Sequence, residues 1–126
     1  MIRLDLKDAR PIYEQIVDKY KRLILLGVLQ RDEQMPSVRQ LAVDLATNPN
    51  TVQKAYAQLE RDRYIYSVPG RGNFVRPRED LLLRRKEELA GELLLWVKEV
   101  ETLGFDPEQI WRETCFGQKN RGGKYD

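Results

Sequence analysis

SVRQLAVDLATNPNTVQKAYAQLERDR, residues 37–63, reads as two short helices joined by a tight turn. Ser37 suits an N-cap, and Gln40 three residues later completes a capping box. Val38, Leu41, Ala42 and Leu45 then fall on one helical face. The pattern breaks at Ala46-Thr47-Asn48-Pro49, where Asn48 is a good N-cap and Pro49 fits the first helical position. A second helix carries Val52, Ala55, Tyr56 and Leu59 inward and leaves Asn50, Thr51, Gln53 and Lys54 facing out. Two amphipathic helices around a turn, the second presenting amides, a hydroxyl and a cation, have the chemistry of a helix-turn-helix. Asn and Gln satisfy adenine bidentately in the major groove, and Thr meets a thymine methyl. An ordinary helical hairpin with a solvated polar face is the competing reading of this stretch alone.

The residues that follow favour the first reading. Tyr64 to Val68 are β-formers, as are Phe74 and Val75, and Pro69-Gly70-Arg71-Gly72 between them is a strong turn signal. This predicts a two-stranded hairpin with Arg71 at its tip, placed to enter a minor groove or meet phosphate. The flanking glycines, Gly70 foremost, allow close backbone approach. A helix-turn-helix followed by such a hairpin is a winged helix.

Met35-Pro36-Ser37-Val38-Arg39-Gln40-Leu41-Ala42, Asn48-Pro49-Asn50-Thr51-Val52, Ala55-Tyr56, Leu59-Glu60 and Gly70-Arg71-Gly72-Asn73-Phe74-Val75 together resemble the GntR family of bacterial transcription regulators. Pro-Ile-Tyr-Glu-Gln-Ile at 11–16 and the short stretch after the hairpin are similar to its YtrA-like subfamily. The resemblance is close over residues 1–77 and rests on length and helical character beyond them. It implies a double-stranded DNA operator as partner and a DNA contact for Arg39, which lies just inside the start of its helix and off the apolar face. Asn48, Asn50, Thr51, Gln53, Lys54, Gly70 and Arg71 complete the expected DNA-binding set. Many family members carry arginine at the place of Pro49 and at or near Gln53; here both differ, so arginine–guanine pairing does not carry over.

Upstream, residues 2–9 form a short extended lead suited to pairing with another strand. Pro11 opens a helix to about Leu26, with Ile12, Ile16, Val17, Tyr20, Leu23, Ile24 and Leu26 as an apolar stripe. Gly27 ends it, Val28 and Leu29 pack down, and residues 30–34 form a polar loop.

Downstream, Pro77 marks a boundary, and a long helix runs from about Glu79 to Leu103. Leu82, Leu89, Trp96 and Leu103 take one heptad seam position and Lys86, Leu93 and Val100 the other, with Val97 widening the stripe. Such a helix is too apolar to lie free in water, so it packs on the first domain, on a partner subunit, or on both. Gly104 ends it, and Asp106-Pro107 opens a short helix to about Phe116 with Ile110 and Trp111 inward. The sequence therefore divides into a winged helix-turn-helix domain at 1–77, a helical dimerisation hairpin at 78–116 and a flexible tail at 117–126. The fold class is mostly α with a small β-hairpin wing. Leu82, Leu89, Leu93, Trp96, Val100, Leu103 and Trp111 are the dimerisation candidates. Trp96 and Trp111 also suit a small effector site between subunits, but aromatic core at a dimer interface is the stronger reading, and effector chemistry stays open.

Charge is unevenly spread. Residues 1–78 hold 14 Lys+Arg and 9 Asp+Glu, a balance of +5, while residues 79–126 hold 8 and 11, a balance of −3. The basic front suits a polyanion, and the acidic end points away from it. No apolar run approaches the roughly 20 residues that span a bilayer, and no signal peptide is visible, so a cytoplasmic protein is expected. With 0 His, neither a Ser/His/Asp nor a Cys/His arrangement is available. Cys115 is the single cysteine, metal-ligand spacing is absent and Gly70-x-Gly72 lies in a hairpin rather than between strand and helix, so no enzyme, cofactor or metal is expected. The reading is a sequence-specific regulator, a repressor binding a pseudo-palindromic operator as a homodimer. A winged-helix adaptor without DNA contact is the alternative, and it calls for exposed leucines or aromatics on the outward face.

Overall fold

The computed structural model describes residues 2–120. Its elements run α1 (Ile12–Leu25), α2 (Val38–Asp44), α3 (Pro49–Arg61), β1 (Ile65–Val68), β2 (Gly72–Val75), α4 (Glu79–Thr102) and α5 (Pro107–Asn120). The chain divides into two compact units inside α4, between Arg84 and Arg85. The first is a winged helix: α3 packs against α1, α2 and β1, and β1 pairs antiparallel with β2 from Ile65↔Val75 to Val68↔Gly72. Its first turn of α4 belongs with it because Leu81 is buried in the same core as Ile16, Tyr20, Ile24, Leu41, Val52, Tyr56, Leu59, Ile65 and Val75. Each fully buried side chain of this size contributes roughly 1.5–3 kcal/mol.

Helix ends follow one device. The Thr47 amide donates to the Ala42 carbonyl at 2.9 Å and the Ala46 amide to the Val43 carbonyl at 3.1 Å, a Schellman closure of α2. The same pair of bonds closes α1 at Gly27, α3 at Arg63 and α4 at Gly104. The residue after the cap is left-handed in all four, with φ of 77° at Gly27, 51° at Ala46, 65° at Arg63 and 86° at Gly104. Glycine adopts this region freely; an L side chain there costs about 1–2 kcal/mol. Ala46→Gly is therefore expected to stabilise the fold by about 0.5–1 kcal/mol, after the extra unfolded-state freedom of glycine is subtracted. Thermal unfolding followed by circular dichroism reads this as a rise of a few degrees; an unchanged or lowered midpoint counts against strain at Ala46.

The structure corrects several sequence expectations. Ser37 Oγ accepts from the Gln40 amide at 3.0 Å, but the Gln40 side chain donates to Asp44 at 2.8 Å instead of returning to Ser37, so half of the capping box forms. Ile12 is 38% exposed, Leu26 66% and Val28 62%, because α1 buries a narrower stripe and the chain turns away at Gly27. Gln15 is buried instead: its Oε1 accepts from the Asp5 amide at 2.9 Å and holds the N-terminal lead on the unit. That lead joins neither strand; Ile2 and Leu4 pack into the core. Residues 32–35 run beside β2 in its place, with bonds from the Asp32 amide to Val75 and from the Met35 amide to Asn73, and a bridge between Gln34 and Phe74.

The second unit is helical. Leu103 lies just beyond α4, and α5 continues past Phe116 to Asn120, so residues 117–120 are helix rather than flexible tail. The rest of that expected tail, 121–126, lies outside the described residues. The cap at Asp106 forms, its Oδ1 accepting from the Glu108 amide at 3.0 Å. Trp111 is 47% exposed rather than inward, its ring meeting Phe116 edge-on at 5.2 Å.

Candidate nucleic-acid interface

The outward side of α3 is built by what holds the inward side. Val52, Ala55 and Leu59 are fully buried and Tyr56 nearly so, which fixes the rotation of the helix about its axis. The Tyr56 hydroxyl donates to the Pro36 carbonyl at 2.8 Å and ties α3 to the segment entering α2. Burial pushes this hydroxyl well above the ordinary tyrosine range, so it remains a donor under all working conditions. With the helix fixed, Asn50, Gln53 and Lys54 are exposed and Thr51 half-buried in its first two turns. Asn48 begins the helix: its Oδ1 accepts from the Asn50 amide at 2.7 Å, leaving its NH2 group for other partners. Pro49 sits in the first turn as the spacing requires.

Lys54 is not a free cation. Its Nζ lies 3.9 Å from the centroid of the Tyr13 ring on α1, a cation–π contact that orients the side chain. Sequence reasoning missed this role, although Tyr13 stood in a quoted motif, because α1 was read only as scaffold. Arg39 is exposed in the first turn of α2. Its helix is anchored by Leu41 and Ala42, buried beneath it.

The wing closes through Pro69-Gly70. The Arg71 amide donates to the Val68 carbonyl at 2.9 Å, and Gly70 has φ 76°, the arrangement of a type II turn. Gly72, at φ 119°, lies against Gln34, whose Nε2 donates to the Arg71 carbonyl at 3.0 Å. A Cβ at position 72 would stand 3.1 Å from that nitrogen. Gln34 thus holds the wing tip from outside the hairpin, a second role the sequence reading missed; the polar loop showed no sign of it. Arg71 is left exposed at the tip.

The carboxylates nearest these residues are engaged by hydrogen bonds. At the far end of α3, burial pushes the Asp62 carboxyl up, but hydrogen bonds from Lys21 at 2.7 Å and Gln58 at 3.1 Å outweigh it and hold the group below its usual value. Asp44 is engaged by Gln40. The sequence-named residues therefore sit on three elements of one compact unit: Arg39 on α2, Asn48 to Lys54 at the start of α3, and Gly70-Arg71 at the wing tip.

The dimerisation candidates behave differently. Leu82 is 42% exposed, Leu89 49%, Leu93 58% and Trp96 38%. Leu103 is also exposed, whereas Val100 is buried within the single chain and has little surface left for a partner. Leu81, one residue from the seam, is the position that α4 commits to the first unit. Among the described residues, no three His, Cys, Asp or Glu side chains gather as a metal site, and no helix is long and apolar enough to cross a membrane.

Comparison with known proteins places this geometry. The model of bacterial regulatory proteins of the gntR family matches residues 12–75. The chain is 45% identical over 75 residues to the HTH-type transcriptional repressor YtrA of Bacillus subtilis, an overlap of 60% of this chain and 58% of that one. It is 33% identical over 106 residues to the HTH-type transcriptional regulator YhcF of the same organism, covering 82% of this chain and 87% of the relative. The crystal structure of a transcriptional regulator from Oenococcus oeni superposes with a TM-score of 0.71 at 32% identity, covering 87% of this chain and 92% of that one. These similar proteins are regulators, not enzymes.

Proposed function

The chain belongs to the GntR family of DNA-binding bacterial transcription regulators, and on that premise we propose that it is a cytoplasmic homodimeric repressor of a pseudo-palindromic operator, with no catalytic activity. The observation that carries this reading is the amide, hydroxyl and cation surface at the start of α3, backed by a fully buried face. Laid in a major groove, Asn50 and Gln53 offer bidentate pairs to adenine, and Thr51 offers its methyl and hydroxyl to thymine or a phosphate. Arg39 approaches from the N-terminal turn of α2, and Arg71 reaches the sugar–phosphate backbone or the minor groove from the wing. Asn48 and Gly70 contribute through backbone position, and Lys54 through its charge.

The exposed leucines of α4 support the homodimer. Leu82, Leu89, Leu93 and Trp96 give a second copy an apolar seam to cover. A two-fold dimer then reads half-sites about one helical turn, roughly 34–36 Å, or a multiple of it apart. The modest basic excess of one first unit is doubled in such a dimer, and occupancy of the operator blocks promoter access. The outward side of α2 and α3 exposes one large apolar residue, Val43, too little for the adaptor reading.

The test is selection of preferred DNA from a random duplex pool at physiological salt. The expected result is a two-fold symmetric motif bound at least about a thousandfold above random DNA. Weak, salt-sensitive binding without a recovered motif would overturn the operator reading.

A further inference from the structure

Three arginines gather away from Arg39 and Arg71, one of them, Arg76, half-buried. Arg31, Arg76 and Arg78 line an open cleft of about 260 Å³ at the base of the wing, together with Gly27, Leu29, Gln30 and Glu79. Each arginine is held differently. Arg78 donates to the Leu25 carbonyl at 2.7 Å, capping the C-terminal end of α1. Gly27 makes room for it: a Cβ there would stand 3.1 Å from the Arg78 guanidinium carbon. Arg31 has only a loose 3.8 Å contact with Asp32, whose carboxylate also accepts from the Tyr66 hydroxyl at 2.7 Å. Arg76 places its guanidinium carbon 5.9 Å from the centroid of the Tyr66 ring, and its Nε is buried with no hydrogen-bond partner. An orphaned donor on a charged group is costly, so the Arg76 guanidinium is the least satisfied of the three.

The wall of the cleft is cationic. Three guanidinium groups face one lining carboxylate, Glu79, with Asp32 adjoining. Glu79 opens the 24-residue helix α4, so the unpaired amides of that helix add positive potential at the same end. Guanidinium forks match tetrahedral oxyanions with several acceptor atoms. The place of Arg76 argues against an operator phosphate as occupant. It follows Val75, at the end of the hairpin away from Arg71, and lies four positions on from Gly72, roughly 14 Å at about 3.4 Å per residue.

We propose that this cleft binds a small free molecule bearing a phosphoryl group, held by Arg31, Arg76 and Arg78. It would fix Arg76-Pro77-Arg78, the segment by which the chain leaves the wing and enters α4. Coupling of that occupancy to operator binding rests on the proposed function; binding of the anion itself does not.

The experiment is therefore done without DNA. Pyrophosphate is titrated calorimetrically into the full chain, against chloride at matched ionic strength. Saturable binding is expected, weakened at least about tenfold by R76Q and by R31Q and retained by R71Q. Absence of saturable binding at millimolar pyrophosphate overturns the proposal, as does wild-type binding by both R76Q and R31Q. Loss in R71Q to the same degree would place the anion at the wing tip and overturn it too. Arg31 is exposed, so R31Q decides the matter should R76Q fail to fold.

Discussion

Leu89→Lys combined with Leu93→Lys is expected to give a monomer whose affinity for a two-fold operator is at least about a hundredfold weaker. The two leucines are four residues apart on α4 and therefore share one helical face. They are 49% and 58% exposed in the single chain, so neither belongs to its buried core. A second copy covering them gains roughly 25 cal/mol for each Å² of apolar surface removed from water. Two lysines per chain place four cations in one seam, and burying unpaired charge costs more than the leucines contributed. Lysine is a good helix former, so α4 should keep its helicity. Added positive charge also cannot by itself weaken attraction to DNA, so a loss of affinity reports the loss of the dimer. The magnitude follows from linkage of two half-site contacts, which multiplies affinity by about 10²–10⁴ over either alone. Light scattering gives the mass and a gel shift the affinity. A variant that remains dimeric would mean that α4 is not the interface.

What was legible in the sequence is what neighbouring residues decide. Asn48-Pro49 marks the start of α3 because both residues act within one turn. Pro69-Gly70 marks the wing tip because a type II turn needs a positive φ at its third residue. The buried set on α3, Val52, Ala55, Tyr56 and Leu59, follows from a period of 3.6. What stayed hidden depends on residues distant in the chain. Gln15 is buried because a lead ten residues upstream needs its oxygen, which no hydrophobic pattern encodes. Gln34 reaches Arg71 across 37 positions. Leu81 and Leu82 are adjacent leucines, and only packing on the first unit decides that Leu81 is core and Leu82 is open. At the candidate interface the residue types were readable, while the supports that aim them, Tyr13 under Lys54 and Gln34 behind Arg71, were not.

Arg39→Ala and Lys54→Ala together should weaken operator binding about a hundredfold, with the two residues acting by different routes. Arg39 is exposed, so its truncation leaves α2 intact and removes the contact to the duplex proposed for it. If that contact is to a base edge, the loss is about 1–3 kcal/mol and confined to the position read. Lys54 starts from a different state. Its ammonium already sits 3.9 Å over Tyr13, a contact of about 0.5–1 kcal/mol at an exposed site, so moving to a phosphate would forfeit part of the gain unless both are kept at once. The ring and a phosphate on opposite sides of the ammonium would be compatible, and Tyr13 then acts by holding the cation in place. Lys54→Ala should accordingly weaken all sequences alike and reduce the magnitude of the salt slope by about one. Arg39→Ala should instead lower specificity for one base pair. Affinities of the single and double variants for matched and mismatched duplexes, each at several salt concentrations, separate the routes. Helicity and dimer mass serve as controls. Unchanged affinity in both single variants would remove α2 and the start of α3 from the DNA-binding face.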